Sequence, residues 1–429
     1  MLRLITFFLM SLFICVSTFA QDTTKQKTNE VTILTPKDID VKYLWKLPKF
    51  NVKFIFESET YSNSTAIPSA FSNSFLFPRF IDETLKNNAI DRLNSKNRFG
   101  ALFQTKIGAI FYPDSTWKAQ QQGIEIYYKN QNIIGSHFHS DFFKLIFNGN
   151  AQFAGQTADL SNSRFSILNF ESFNIGFIKT FKLSGLSVNV GLVRGRTYTD
   201  LNIKNGGIFT ALNGTQLNVD FNGRFEQSSR FSNVFKATPS MGASFGIEYN
   251  LQLPKGINLD FKAEDIGFIN WNEKTDLITR DTSFLFYGLD VNDIIDTDKD
   301  LAFIGDSLLN KLRGPEIKGS KMIALPAFFQ SRISKYFSND WNFSFSLNYR
   351  YFTGYSLLKK IEIGKRFRKN RYVLLSVAHG GFGNFQSGLQ FVLVNNQRHF
   401  LKIGTVANEG FISKKMSGNG IMINYNIHL

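Results

Sequence analysis

The chain has 429 residues, 15% of them aromatic, and a formal net charge of +15 at pH 7. Its mean hydropathy of -0.14 is too polar for a helical membrane protein, whereas 47 Phe are more than a soluble core is expected to hide. The basic excess suits anionic lipid head groups or anionic solutes, but it equally suits a lysine-rich surface with no special partner.

The amino end has the build of a secretory signal peptide. Arg3 precedes an apolar run from Leu4 to Val16, and small residues lead to Ala20. The run is shorter than a membrane-spanning helix needs, so we expect export with cleavage after Ala20 and a signal peptide at 1–20. The only cysteine, Cys15, lies within it. Disulfides, thiolate metal sites and cysteine nucleophiles are therefore excluded for the exported chain.

Two segments precede the first long strands. Residues 21–48 form a polar, lysine-bearing lead-in, expected in the periplasm. Within 49–98, the stretch from Pro78 to Leu93 has apolar residues at helical spacing and no strand alternation. We interpret 49–98 as a hatch or plug inside the structure that the later strands form, or as a segment that caps its rim. Both readings stay open.

Between residues 99 and 429, the predicted barrel, stretches of alternating apolar and polar residues recur. Between Ala243 and Leu253 every second residue is apolar, and after a Pro-Lys-Gly turn the alternation resumes to Glu264. The same pattern runs from Trp341 to Tyr351 and from Ile421 to Leu429. Strands of about 9 to 11 residues with one aromatic-rich face are typical of transmembrane β-barrels. The predicted fold is therefore all-β, a transmembrane antiparallel barrel.

Charged side chains cannot face lipid at low cost, so the polar face of these strands must face the lumen. A hairpin centred on Lys255 pairs Glu248 with Lys262 and Asn250 with Asp260. The predicted lumen-facing residues are Glu248, Asn250, Asp260, Lys262, Asn348 and Arg350.

Turn lengths predict the topology, because such barrels have short periplasmic turns and longer outer loops. Tight turns are predicted at Lys182 to Gly185, Asn213-Gly214, Pro254 to Gly256, Ser338 to Asp340, Lys369-Asn370 and Asn395 to Gln397. Looser connections, including Asp200 to Gly206 and Ser228 to Thr238, would face outward. With amino-terminal hairpins at Phe103 to Ile126 and Phe142 to Phe177, the count is about 14 to 16 strands. The longest outer loop is 272–321, with a helix at Asp290 to Leu312.

No catalytic, cofactor or metal site is predicted, and the chain is not expected to be an enzyme. Gly242 to Gly246 spells a nucleophile-elbow pattern but lies inside a regular strand. His137 and His139 lack further ligands at metal spacing, and Asp296 to Asp300 lacks the glycine and glutamate of a calcium loop. His399 fits an interfacial ring better than a catalytic base.

The terminal strand, 420–429, resembles the signal that barrel assembly machinery recognises, although it ends in Leu429 instead of an aromatic residue. That machinery is one expected partner. Outer-membrane lipids and lipopolysaccharide are others, an outer-membrane protein complex is a further candidate, and nucleic acid is not expected.

A resemblance adds to this reading. Asn148-Gly149-Asn150, the run Phe153 to Leu160 and the run Asp265 to Trp271 resemble an uncharacterised family of Bacteroidota outer-membrane barrels. That family is similar in outline to FadL-type long-chain fatty acid transporters, which implies an amino-terminal hatch. The Asn-Pro-Ala hatch motif of those transporters is absent, with Ile67 to Ala70 standing nearby, and no ligand-binding residue carries over.

The expected function is a porin-like or FadL-like channel in the outer membrane of a Gram-negative cell, for small solutes that include hydrophobic ones. The alternative is a non-conducting accessory subunit of a larger secretion or barrel-assembly complex. An outer-membrane hydrolase ranks last.

Overall fold

The computed structural model describes residues 52–76, 80–113, 117, 121–214, 216–228, 240–287, 317–337, 339–368, 370–395 and 398–429. The predicted signal peptide (1–20), the lead-in (21–48) and the predicted helix at Asp290 to Leu312, with its calcium-like loop, lie outside the described residues. No helix in the described part of the chain is long and apolar enough to span a bilayer.

The described residues form strands for most of their length. In chain order the strands are β1 Val52–Ser64, β2 Asn97–Phe111, β3 Gln122–Phe138, β4 Thr157–Asp159, β5 Ser163–Thr180, β6 Ser184–Thr210, β7 Gln216–Gln227, β8 Ser240–Leu253, β9 Ile257–Tyr287, β10 Ile317–Ala324, β11 Phe328–Tyr336, β12 Trp341–Arg350, β13 Ser356–Arg368, β14 Arg371–Gly381, β15 Phe385–Asn395, β16 His399–Ala407 and β17 Asn419–His428.

The strands form one antiparallel sheet that closes on itself. β1 pairs with β2 on one side and with β17 on the other, and Val52 and Leu429 exchange backbone hydrogen bonds at the seam. Closure removes the free strand edges that lipid cannot hydrogen-bond. Because β7 lies end to end with β8, and β10 with β11, each couple forms one strand of the wall, and β4 is a short addition to β6. The described strands thus build a wall of 14 strands. The predicted barrel is confirmed at its lower count.

Successive side chains of each wall strand point alternately to the outer surface and to the lumen. In β12 the rings of Trp341, Phe343 and Tyr349 are exposed on the outer face, whereas Ser344 and Ser346 are buried on the inner face. The aromatic residues at the two ends of this strand match the girdles that flank the apolar band of transmembrane barrels.

We call the end of the barrel where Val52 and Leu429 lie the inner end, and the opposite end the outer end. Tight turns at Phe181 to Ser184, Pro254–Gly256 and Phe337 to Trp341 all lie at this inner end, so these three share one side of the barrel as predicted.

The Asn213-Gly214 turn is the exception, because it lies at the outer end. β6 is a single strand of 27 residues that continues through 200–206, where the sequence predicts a loop. A β-bulge between Ile203 and Asn205 keeps it paired with β7, which returns toward the inner end. A loop at 200–206 would add two strands to the barrel, and the continuous β6 removes them.

Among the described residues, four helices lie in outer connections: α1 Ser69–Leu76, α2 Glu83–Ile90, α3 Ser140–Asn148 and α4 Glu409–Ile412. α2 falls within the stretch predicted to be helical. The Asp82 carboxylate caps it by accepting from the Leu85 N–H over 2.8 Å.

Three predicted boundaries need correction. The hatch segment 49–98 contains a wall strand, β1, whose outward residues beyond Phe56 are polar and hide the alternation. Residues 140–148, predicted to begin a hairpin at Phe142, form α3. The predicted outer loop 272–321 is shorter, because β9 pairs with β7 as far as Tyr287 and β10 begins at Ile317.

Candidate functional site

The lumen-facing residues predicted from the β8–β9 hairpin lie on its inner face. Glu248 is opposite Lys262, and Asn250 is opposite Asp260, as symmetry about Lys255 requires. The Lys262 Nζ is 3.1 Å from Glu248 Oε1, and the Asn250 side chain donates to the Asp260 carboxylate. These pairs neutralise charge within the lumen.

The two residues predicted on β12 also lie on the inner face. Gln330 of β11 donates to the side-chain oxygen of Asn348 over 2.7 Å. Arg350, which is 5% exposed, donates to the carbonyl of Pro326 over 3.3 Å. Pro326 lies between the end of β10 and the start of β11, so Arg350 donates to the backbone at the point where that wall strand is interrupted.

A contact across the lumen joins β3 to β9. Lys129 Nζ lies 2.7 Å from Asp265 Oδ2 and 3.6 Å from Glu264 Oε2, although β5, β6 and β8 separate the two strands along the sheet. A bulge at this point gives Asp265 a φ of 56°, which is uncommon for a residue other than glycine. Two successive acidic residues within an alternating strand were the available sequence signal. Neither Lys129 nor Asp265 is among the predicted lumen-facing residues.

A second crossing lies one step nearer the outer end. With its amide oriented to satisfy both neighbours, Gln131 of β3 donates to Asp265 over 3.2 Å and accepts from Arg350 over 2.9 Å. Gln131 is fully buried. Gln131 therefore ties β3 to β9 and β12, which lie on another part of the wall, inside the barrel.

The connection between β12 and β13, residues 351–355, crosses to the opposite wall. Thr353 Oγ1 is 2.6 Å from the hydroxyl of Ser166 on β5. A Cβ on Gly135 of β3 would lie only 2.1 Å from the Thr353 carbonyl oxygen, so glycine is required for this approach. Gly354, with φ of 74°, makes the turn in the crossing segment.

An apolar layer fills the lumen at the same level. Its buried members come from most sides of the wall: Tyr61, Leu102, Ile133, Leu168, Phe170, Val193, Tyr198, Ile269, Trp271, Leu325, Phe382 and Ala407. Tyr198 stacks on Trp271 at 5.8 Å between ring centroids, and Tyr355 of the crossing segment packs edge-on against Phe382 at 5.0 Å. The lumen of an ordinary porin is instead a water-filled channel.

The outer mouth carries an aromatic cap, formed by α1, α2, α3 and the adjoining strand ends. Its buried members are Ile67, Phe71, Ala89, Phe138 and Phe143. Ring centroids of Phe143 lie 5.2 Å from Phe71 and 4.5 Å from Phe147. The cap is tied to the β16–β17 connection, because the Ser69 N–H donates to the Met416 carbonyl over 2.8 Å.

A family model described as "Family of unknown function (DUF5723)" matches residues 40–395. The chain belongs to this family. No curated protein has significant sequence similarity to it.

Several solved structures are similar to this DUF5723 chain over almost its whole length. A TodX deltaS2S3 mutant monoaromatic hydrocarbon channel is 8% identical with a TM-score of 0.44, covering 94% of this chain and 95% of its own. The Ralstonia pickettii toluene transporter TbuX is 9% identical with a TM-score of 0.41, covering 92% of each chain. A Pseudomonas aeruginosa FadL homologue is 6% identical with a TM-score of 0.38, covering 89% and 90%. The predicted membership of an uncharacterised family is confirmed by the family-model match.

The other residues considered from the sequence as catalytic or metal-binding candidates make contacts within the protein. Ser244 of the elbow-like pattern lies inside β8, where its hydroxyl donates to the Asn174 side chain over 3.4 Å. His139 caps α3 by accepting from the Asp141 N–H over 3.3 Å. His399 stacks on Tyr425 with Nδ1 2.9 Å from the hydroxyl oxygen. Within the described ranges, no group of three or more His, Cys, Asp or Glu could hold a metal ion.

Proposed function

We propose that the protein is an outer-membrane channel for small solutes, closed in this conformation, and that apolar solutes are the class it admits. The observation that carries the proposal is the aromatic cap over the outer mouth, with a second apolar layer beneath it.

The outer wall supports the membrane location. Phe54, Phe343, Leu375 and Phe391 are among many large apolar residues that are 40% or more exposed on different sides of the barrel. A continuous apolar surface of this kind is stable only against lipid. The proposed route to the outer membrane is export with cleavage after Ala20, followed by insertion through the terminal strand 420–429.

The order of layers supports apolar selectivity. A polar solute entering from outside would have to shed water in the cap before it reached the charged pairs around Lys262, and an unpaired polar group in apolar surroundings costs about 1–3 kcal/mol. An apolar solute gains about 25 cal/mol per Å² of surface removed from water in the same place. The cap therefore favours apolar solutes at the first step.

Entry of an apolar aromatic dye into cells whose lipopolysaccharide excludes it tests the proposal. Cells that express the barrel should take up the dye several-fold faster than cells with an empty vector, while uptake of a sugar of similar size stays unchanged. Phe143→Asn places an amide in the cap and should remove most of the gain. Phe80→Asn is the matched control, since Phe80 lies between α1 and α2 but is 86% exposed.

Equal acceleration of dye and sugar would indicate a general porin and would overturn the apolar selectivity. No acceleration of either, with the barrel shown to be folded in the outer membrane, would overturn the channel and favour the accessory-subunit alternative.

A further inference from the structure

A polar patch interrupts the lipid-facing surface on three neighbouring strands, β3, β5 and β6. Glu171 lies at its centre and must face outward, because its neighbours Phe170 and Ser172 are buried toward the lumen. Tyr128 and Arg194 belong to the same patch. Below it the outer surface is apolar again, with Phe173, Ile175, Val190 and Leu192 all more than half exposed.

The charges in this patch are arranged around one carboxylate. Arg196 Nη2 lies 2.7 Å from Glu171 Oε2, and Arg194 Nη1 lies 3.4 Å from Oε1. The Tyr128 hydroxyl donates to Glu171 Oε2 over 2.8 Å. Two guanidinium groups thus share one carboxylate, and about a third of each arginine side chain is exposed, 34% for Arg194 and 32% for Arg196.

Arg196 is out of register with the sheet. Phe170 pairs with Gly195 and Asn169 pairs with Thr197, so Arg196 is the extra residue of a β-bulge and has no partner opposite it. Its Nε finds no hydrogen-bond acceptor among the described residues. This Nε atom is buried, so a ligand can meet Arg196 only through the exposed third of its side chain.

The height of the patch identifies the phase it meets. Arg194 lies ten residues above Ser184, where β6 starts at the inner end. With a rise of about 3.3 Å per residue and a tilt of about 40°, this is roughly 25 Å, the height of the apolar band of such barrels. The patch is therefore at the outer edge of the band, where lipid phosphates lie.

We propose that Arg194 and Arg196 bind the phosphate of an outer-leaflet glycolipid. Arginine suits this ligand because its planar fork donates two parallel hydrogen bonds to phosphate oxygens. Glu171 then competes with the phosphate for both guanidinium groups. The inference rests on the proposed outer-membrane location but not on the channel activity.

Lipid retention by the full-length barrel tests the site. The protein is reconstituted in phosphatidylcholine nanodiscs containing a bisphosphorylated lipid A, or the same glycolipid without phosphates, then extracted and examined by native mass spectrometry. The wild type should retain the phosphorylated form only. The double variant Arg194→Gln, Arg196→Gln should retain roughly tenfold less, the size expected for lost hydrogen bonds to a charged group.

Two further variants separate a binding role from a structural one. Lys359→Gln is the matched control, because Lys359 is an exposed, outward-facing cation near the outer end of β13, on another part of the wall. Glycolipid retention by this variant should stay at the wild-type value. Glu171→Gln removes the competing carboxylate and should raise retention, whereas a purely structural ion pair predicts loss. Heat-modifiable migration establishes that each variant is folded.

Equal retention of both glycolipids, an equal loss in Lys359→Gln, or reduced retention in Glu171→Gln would overturn the proposal. So would displacement of the glycolipid by millimolar inorganic phosphate, since that would indicate a site for free anions. Dye uptake is measured separately, so failure of this site is distinct from failure of the channel.

Discussion

Replacing Phe261 by lysine tests whether the β8–β9 hairpin has one face in lipid. Phe261 is 47% exposed on the outer wall, four residues above Ile257 at the inner end of β9. At about 3.3 Å per residue and a tilt of about 40°, its side chain is roughly 10 Å into a band about 25 Å tall. A lysine at mid-band costs about 2–4 kcal/mol, which lowers the ratio of folded to unfolded protein by about 30- to 1,000-fold.

The matched change is on the next residue. Lys262 lies 2.7 Å from Glu264 and 3.1 Å from Glu248 on the lumen side, so Lys262→Gln loses ion pairs but puts no charge into lipid. Partly exposed pairs of this kind contribute about 1 kcal/mol or less. Urea unfolding in phospholipid vesicles, followed by tryptophan fluorescence, measures both variants. Equal destabilisation by the two substitutions would refute the assignment of faces.

Three further predictions concern the gate, the topology and the seam. Asp265→Asn weakens the crossing contact of Lys129, and the background conductance in planar bilayers should rise several-fold; an unchanged conductance would show that this contact does not hold the lumen closed. A cysteine at Asn339 should resist a membrane-impermeant thiol reagent on intact cells while one at Asn213 reacts, and the reverse pattern would invert the barrel. Removing Tyr425 to Leu429 leaves β1 with an unpaired edge, so the truncated chain should lose heat-modifiable migration, and normal migration would contradict the closure at β1 and β17.

Where the chain follows strict alternation, local residues were enough to predict the structure. In the hairpin around Lys255, apolar and polar residues alternate on both strands. The cross-strand pairing and the face on which each side chain lies both follow from this alternation about the turn. In the structure Lys255 occupies the turn with a φ of 62°. The same holds for β12, whose outward aromatics and inward serines are in phase throughout.

Prediction failed where the phase is broken. β6 contains a bulge at Ile203 to Asn205, which interrupts the alternation of apolar and polar residues and makes the sequence resemble a loop. The backbone of β6 nevertheless stays hydrogen-bonded to β7. In β1, Ile55 points into the lumen and Ser58 points outward, so its inner and outer faces differ too little in polarity to be recognised.

The sequence by itself determined that this protein is a β-barrel with an apolar outer face, because a period of two is a local property that each strand carries in its own residues. Only the tertiary structure decided what lies inside and around it. The contact of Lys129 with Asp265, the approach of Thr353 to Gly135 and the sharing of Glu171 by two arginines all join strands that curvature and bulges bring together. The physical reason is that closure sets which strands face each other across the lumen, and a bulge sets where a side chain points; neither is expressed in the spacing of residues along a single strand.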